Sequence, residues 1–268
     1  MAIAVDSRNA GTTTAVVNDM SWSHSLASLS NGILVVATGA VHNGASHATV
    51  ASAVWDSGGA NTALSKFGAV DFGADGGSAE LWYLLNPASG TKTIKVTFNN
   101  SPAGSTGSVS LSGVNQSTPW NAAGPQTATA NSAAPSNNVT SAAGEWGIDC
   151  LGFERFGGGL TQGGSQNLIA NSTDGNCYCG MSDEQEAASP IAFSWTGGGS
   201  VDWGWVGGSL IAAAAGPAVL TGSNRQFFPN QRGLFLAMPL VQGTTVIPTR
   251  SGWGPLIGGR RNRLISDS

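Results

Sequence analysis

Charge is what this sequence has least of. Asp, Glu, Lys and Arg make up 10% of its 268 residues, far under the roughly 25% of an ordinary soluble domain. A surface that poor in charge must be coated with small hydroxyl and amide groups or covered by neighbours. Low charge also lowers the colloidal stability of a free monomer. Both readings favour a subunit of an assembly over a freely diffusing metabolic enzyme. No apolar run approaches the length of a membrane span. Three cysteines, an odd count, argue against a disulfide scaffold. The stretch Met1–Asp6 lacks both a basic n-region and a long apolar run, so no signal peptide is expected and folding in a cytoplasm is. Neither a G-x-S-x-G nucleophile elbow nor a Walker sequence occurs.

Helix signals are nearly absent too, whereas period-two alternation bounded by Gly, Asn, Ser and Pro recurs throughout. The alternation predicts strands at Met20–Ser25, Gly32–Val41, Thr49–Trp55, Ala63–Phe72, Ala79–Leu85, Lys92–Phe98 and Gly107–Leu111. It continues through Gln126–Ala130, Glu145–Phe153, Gln166–Asn171, Cys177–Ser182, Pro190–Trp195 and Val201–Ile211. Short strands at this spacing predict an all-β fold: an antiparallel β-sandwich or jelly-roll-like domain over residues 1–215. No internal repeat is evident in the residues. Glycines alternating with Trp203 and Trp205 suggest close backbone approach there.

At Gly216-Pro217 the chemistry changes. Through Ala215 the chain has five basic side chains (Arg8, Lys66, Lys92, Lys95, Arg155) against fourteen acidic ones, a formal charge of −9. Residues 216–268 have six arginines, no lysine and one acid, a charge of +5. Five prolines cut this segment into pieces too short for much helix. The pattern predicts an extended C-terminal docking arm, with partner-binding residues Arg225, Phe227, Phe228, Arg232, Phe235, Arg250, Trp253, Arg260, Arg261 and Arg263. Arginine suits planar, bidentate, partly buried ionic contacts. The arm would grip an acidic protein surface, either its own body or a neighbour. Nucleic acid is not an expected partner, because the acidic body opposes it and only Arg260, Arg261 and Arg263 cluster.

Signals for chemistry are thin. His42 and His47 flank a loop-like spacer; Asp56 or Asp71 is a conceivable third ligand, but nothing in the pattern demands either. Cys177 and Cys179 share a strand face without a second cysteine pair and read as small apolar thiols. Glu145 and Asp149 fall on one strand face, the kind of carboxylate pair a glycosidase needs. Asp183, Glu184 and Glu186 form an acidic cluster assigned to a loop, for calcium or for solvation. None of these patterns specifies a site, so no catalytic residue, metal or cofactor is expected. Sugar binding is the main alternative, because sandwich lectins use exposed aromatic faces. Trp55, Trp120 and Trp146, at strand ends or in loops, are the candidates.

One resemblance extends over roughly residues 20–211. It rests on Ser21-Trp22-Ser23-His24, Gly32-Ile33-Leu34-Val35-Val36, Glu80-Leu81-Trp82-Tyr83-Leu84-Leu85-Asn86-Pro87 and Gly90–Phe98. Further blocks are Leu111–Pro119, Ala143-Gly144-Glu145-Trp146 and Trp205–Leu210. In this order the blocks resemble a β-sandwich family of phage and prophage structural proteins. The resemblance implies a virion-associated sandwich with no particular activity and brings no catalytic residues with it. The expected protein is an accessory subunit of a tailed phage, either head decoration (cement) or a tail or fibre component. It would be made in the host cytoplasm and located in the virion. Its expected partners are other virion proteins and copies of itself, with no membrane. A receptor- or carbohydrate-binding adhesin recognising a host-surface glycan is the alternative.

Overall fold

In the computed structural model, residues 1–14, 18–42, 46–74, 76–154, 159–173, 177–185 and 189–214 are described. Contacts divide the chain into Met1–Ala215 and Gly216–Ser268. The second segment, and with it every arm residue named above, lies outside the described residues.

The described residues form eighteen strands and no helix. The first ten are β1 (Ala4–Asn9), β2 (Thr13–Thr14), β3 (Asp19–Leu26), β4 (Ile33–Val41), β5 (Val50–Trp55), β6 (Thr62–Ala63), β7 (Ser65–Phe72), β8 (Gly77–Leu85), β9 (Gly90–Phe98) and β10 (Ala103–Ser112). The other eight are β11 (Gln126–Ser132), β12 (Ser136–Val139), β13 (Trp146–Glu154), β14 (Thr161–Gln162), β15 (Asn167–Thr173), β16 (Cys177–Gln185), β17 (Ile191–Thr196) and β18 (Val201–Leu210).

Pairing is antiparallel and nested. In the first half β1 pairs with β10, β3 with β9, β4 with β8 and β5 with β6. In the second half β11 pairs with β18, β12 with β17 and β13 with β16. Each half is therefore a long hairpin folded over on itself. The sheet orders correspond. An inner sheet β1-β10-β4-β8-β7 and an outer sheet β3-β9-β5-β6 are matched by β11-β18-β13-β16-β15 and β12-β17-β14. The edge pairs β7–β8 and β15–β16 both carry a register break, at Lys66/Gly68 and Leu168/Ala170. One sandwich was expected; the body holds two with the same strand order. The internal repeat, absent from the residue pattern, is present in the topology.

Three apolar layers separate four sheets. Met20, Trp22, Leu34, Val36, Trp55, Ile94 and Phe98 fill the first sandwich. Leu151, Phe153, Phe193, Trp195 and Trp205 fill the second. Between them the two inner sheets meet along a seam of Ile33, Val35, Leu81, Val109, Ile148, Cys150, Cys179, Met181 and Val206. The central strands of the inner sheets are thus buried on both faces, which is why β4 reads as a near-continuous apolar run. The outer strand β3 alternates strictly between buried and exposed.

The seam is tight. A Cβ on Gly39 would stand 3.1 Å from the Tyr178 carbonyl oxygen, and one on Gly204 would meet Phe72 at 2.4 Å. The close approach expected around Trp203 and Trp205 is therefore present. Both outward faces are hydroxyl-rich. Ser21, Ser23 and Ser25 stand opposite Lys95, Thr93 and Thr91 on one side, and Ser136, Asn138, Ser194 and Thr196 are exposed on the other.

Candidate functional site

Among the described residues, polar side chains form several buried networks and line an open cleft. Asp149, on β13, is fully buried in the second sandwich. Its Oδ1 accepts from the Ser182 backbone N–H at 2.9 Å and the Ser182 hydroxyl at 2.6 Å. Its Oδ2 accepts from the indole N–H of Trp195 at 2.7 Å and of Trp205 at 2.9 Å. Burial pushes its pKa up to about 6, against the opposing pull of these four donors. Glu145 lies just before β13. It accepts from Asn121 at 2.9 Å, from Ser209 at 2.7 Å and from the Ala142 N–H at 3.0 Å. The two carboxylates expected to share a face are thus each saturated by donors that hold strands and loops together.

The first sandwich uses Glu80. Its oxygens accept from the Val50 N–H at 2.8 Å and Trp82 Nε1 at 3.0 Å, and Lys66 Nζ lies 2.7 Å away. His24 is fully buried between Ser108 and Ser110. Burial lowers its pKa to about 4, although the charge of Asp6 pulls the other way.

Across the seam, Arg8 of β1 grips Asp183 of β16 in a bidentate pair, Nε to Oδ2 at 2.6 Å and Nη2 to Oδ1 at 2.7 Å. Trp146 Nε1 donates to the same carboxylate at 3.2 Å. The hydrogen bond to Asp183 raises the Arg8 pKa further. Asp183 was expected in an acidic loop; it is a fully buried strand residue. Glu184 next to it accepts from Ser165 at 3.1 Å, and partial burial raises its pKa. Glu186 lies outside the described residues.

The three candidate sugar platforms are occupied by the fold itself. Trp55 is fully buried, contrary to the exposure expected at a strand end, and its Nε1 donates to the Ala88 carbonyl at 3.2 Å. Trp120 stacks on Phe67, with ring centroids 3.8 Å apart, and takes Tyr83 edge-on at 5.7 Å. Trp146 packs against the seam core beside Asp183. Cys150, Cys177 and Cys179 are buried free thiols. Burial in apolar surroundings, with Cys179 as neighbour, raises the pKa of Cys150 well above normal.

A cleft of about 440 Å³ opens where the two sandwiches meet, lined by His47, Asp71, Phe72, Asn131, Asp202 and Trp203, among others. His47 Nδ1 donates to the Gly77 carbonyl at 3.0 Å, which leaves Nε2 as the ring's acceptor. Asn131 Nδ2 donates to Asp202 at 2.8 Å. The lining is therefore rich in acceptors and suits a ligand rich in O–H or N–H donors. No protein-family model matches this sequence, and no curated protein matches it.

Among the described residues no group of three or more His, Cys, Asp or Glu side chains converges as a metal site. His42 does not join His47; its Nδ1 lies 3.2 Å from the Ser46 carbonyl oxygen. Sequence reasoning named Asp71 only as a conceivable third ligand beside His42 and His47 and missed Asn131 and Asp202; the three come together because β7 of one sandwich abuts β11 and β18 of the other. Asp202, beside two tryptophans in a glycine-alternating strand, was the one local signal available.

Proposed function

We propose that this chain is a non-enzymatic structural subunit of a tailed-phage virion, an accessory head-decoration, tail or fibre component. Residues 216–268 would attach it to a neighbouring subunit. The observation that carries this reading is where the body spends its buried charge. Asp149, Glu145, Glu80 and Asp183 each bind donors from other strands or loops. Buried carboxylates arranged in this way stiffen a scaffold. The outward sheet faces carry hydroxyls and amides, as suits a low-charge surface repeated many times in an assembly. A structural role also fits the charge division, with basic residues concentrated beyond Ala215 and acidic ones before it.

The test is a chain truncated after Ala215, compared with the full chain for folding by circular dichroism and for incorporation into purified particles. Folded but unincorporated protein is the expected result. Incorporation equal to that of the full chain overturns the attachment role of residues 216–268.

The seam cleft favours a second reading, a carbohydrate-binding module recognising a host-surface glycan. Its acceptor-rich lining suits saccharide hydroxyls, and the tryptophans named from sequence are not its platform. Glycan-array binding that is lost in Asp202→Ala but kept in Trp146→Phe would promote this reading over the first.

A further inference from the structure

His24 sits in the middle of a hydrogen-bond chain whose direction is set by its two ends. Trp22 Nε1 donates to Ser108 Oγ at 3.0 Å, and Ser108 Oγ lies 2.9 Å from His24 Nδ1. On the other side His24 Nε2 lies 3.1 Å from Ser110 Oγ, which donates to Asp6 Oδ2 at 2.8 Å. An indole N–H can only donate and an ionised carboxylate can only accept. The polarity therefore runs one way, from Trp22 through Ser108 to His24 Nδ1, and from His24 Nε2 through Ser110 to Asp6. A neutral imidazole protonated on Nε2 completes it.

Local backbone geometry builds the outer end of this relay. The pairing of β1 with β10 breaks register between Val5 and Ser7, so Asp6 is the extra residue of a bulge. Bulges re-aim side chains, and here the carboxylate reaches both Ser110 and the Ala27 N–H at the exit of β3. The relay thus joins β1, β10 and β3, fastening an edge strand of the outer sheet to the inner sheet.

We propose that the relay is an acid-operated latch: a second proton on His24 turns Nδ1 from acceptor into donor, breaks the relay at Ser108 and releases β3 from β10. Once Nδ1 carries a proton, Ser108 Oγ faces two donors, Trp22 and His24, and its own hydroxyl proton loses its acceptor. The imidazolium charge is meanwhile enclosed on all sides.

The charged groups on the surrounding strands are mostly engaged elsewhere. On β1, Arg8 is held by Asp183. On β3, Asp19 is held by Lys95 of β9. Lys92, the register partner of His24, is bound to Asp56 at the end of β5. Glu80 of β8 is held by Lys66. Strands β4 and β10 carry no ionisable side chain. Asp6 is the group whose charge favours the second proton, and burial outweighs it, placing the titration near pH 4. Opening bares Met20, Trp22 and Leu26, the inward residues of β3. The device turns a covered sheet edge into an apolar face in acid.

The test is an NMR pH titration of the full chain from 7.5 to 3, following the His24 ring nitrogens and the amide protection of β3. Expected are an Nε2–H tautomer at neutral pH, a His24 midpoint near pH 4, and at least a tenfold loss of β3 protection across that midpoint. Amides of β17, in the other sandwich, should keep their protection there. His24→Gln, which cannot take the proton, should abolish the acid-dependent loss. In Asp6→Asn, an exposed change that keeps the side-chain size, the His24 midpoint should move lower still. An Nδ1–H tautomer, a midpoint at the ordinary histidine value, or the same acid opening in His24→Gln overturns the proposal.

Discussion

In the first sandwich the space between outer and inner sheets holds an imidazole kept neutral between two serines. In the second, the same layer holds a carboxylate clamped by two indoles and a serine. The strand orders agree, so the backbone demands the same packing of both halves. What differs is the base: the first layer holds His24 as well as its own buried carboxylate, Glu80, and that imidazole answers pH in the direction opposite to Asp149. A shared topology leaves the polar content of its core free to diverge, provided every buried donor and acceptor finds a partner.

The sharpest way to break this comparison is to remove one clamp. Asp149→Ala leaves two buried indole N–H groups and the Ser182 N–H without an acceptor. It should cost about 4 kcal/mol, measured by urea unfolding. His24→Ala, which leaves the Ser108 hydroxyl without its acceptor, should cost about half that.

Next in size is the pH dependence. Asp149 titrates higher in the folded chain, near pH 6 instead of 3.8. Its share of stability is therefore fully present below pH 3.8 and lost as pH rises through 6. His24 titrates lower, near pH 4 instead of 6.5. Its share is fully present above pH 6.5 and lost as pH falls through 4. Each is worth on the order of 3 kcal/mol, and between about pH 4 and 6 the two slopes oppose. Unfolding free energies across that range should fall with pH in His24→Gln and rise with pH in Asp149→Asn, with the parent chain flatter than either.

Smaller effects sharpen the contrast between seam and surface. Gly39→Val forces side-chain volume against the backbone of β16 and should cost about 2 kcal/mol, read as a lower urea midpoint. Lys95→Ala on the outer face breaks an exposed pair with Asp19. It should change stability by under about 0.5 kcal/mol in the same assay.

Strands with an apolar face were legible because alternation is itself the burial pattern. Both β4 and β9 fall close to their expected bounds. The edge strands β1, β12 and β14 were not, since AVDSRN, SNNV and TQ carry little apolar signal and become strands only by pairing with a neighbour. The duplication was illegible for a related reason. Corresponding inner strands β4 and β13 read ILVVATGAV and WGIDCLGFE. Asp183 looked like a loop acid because Glu184 and Glu186 follow it. Its real partner, Arg8, lies 175 residues away. The cleft residues could not be read for the same reason, since two sandwiches must dock before Asp71 and Asp202 line one opening.

The nested pairing also fixes an order of events during synthesis. Strand β1 waits for β10, so the first sandwich closes only when Ser112 has left the ribosome. Its seam face of Ile33, Val35, Leu81 and Val109 then has no partner until β13, β16 and β18 have been made. At roughly 5–20 residues per second, the missing stretch to Leu210 takes on the order of 5–20 s. For that interval a finished half-protein shows the ribosome's surroundings the apolar sheet that will later become the centre of the molecule.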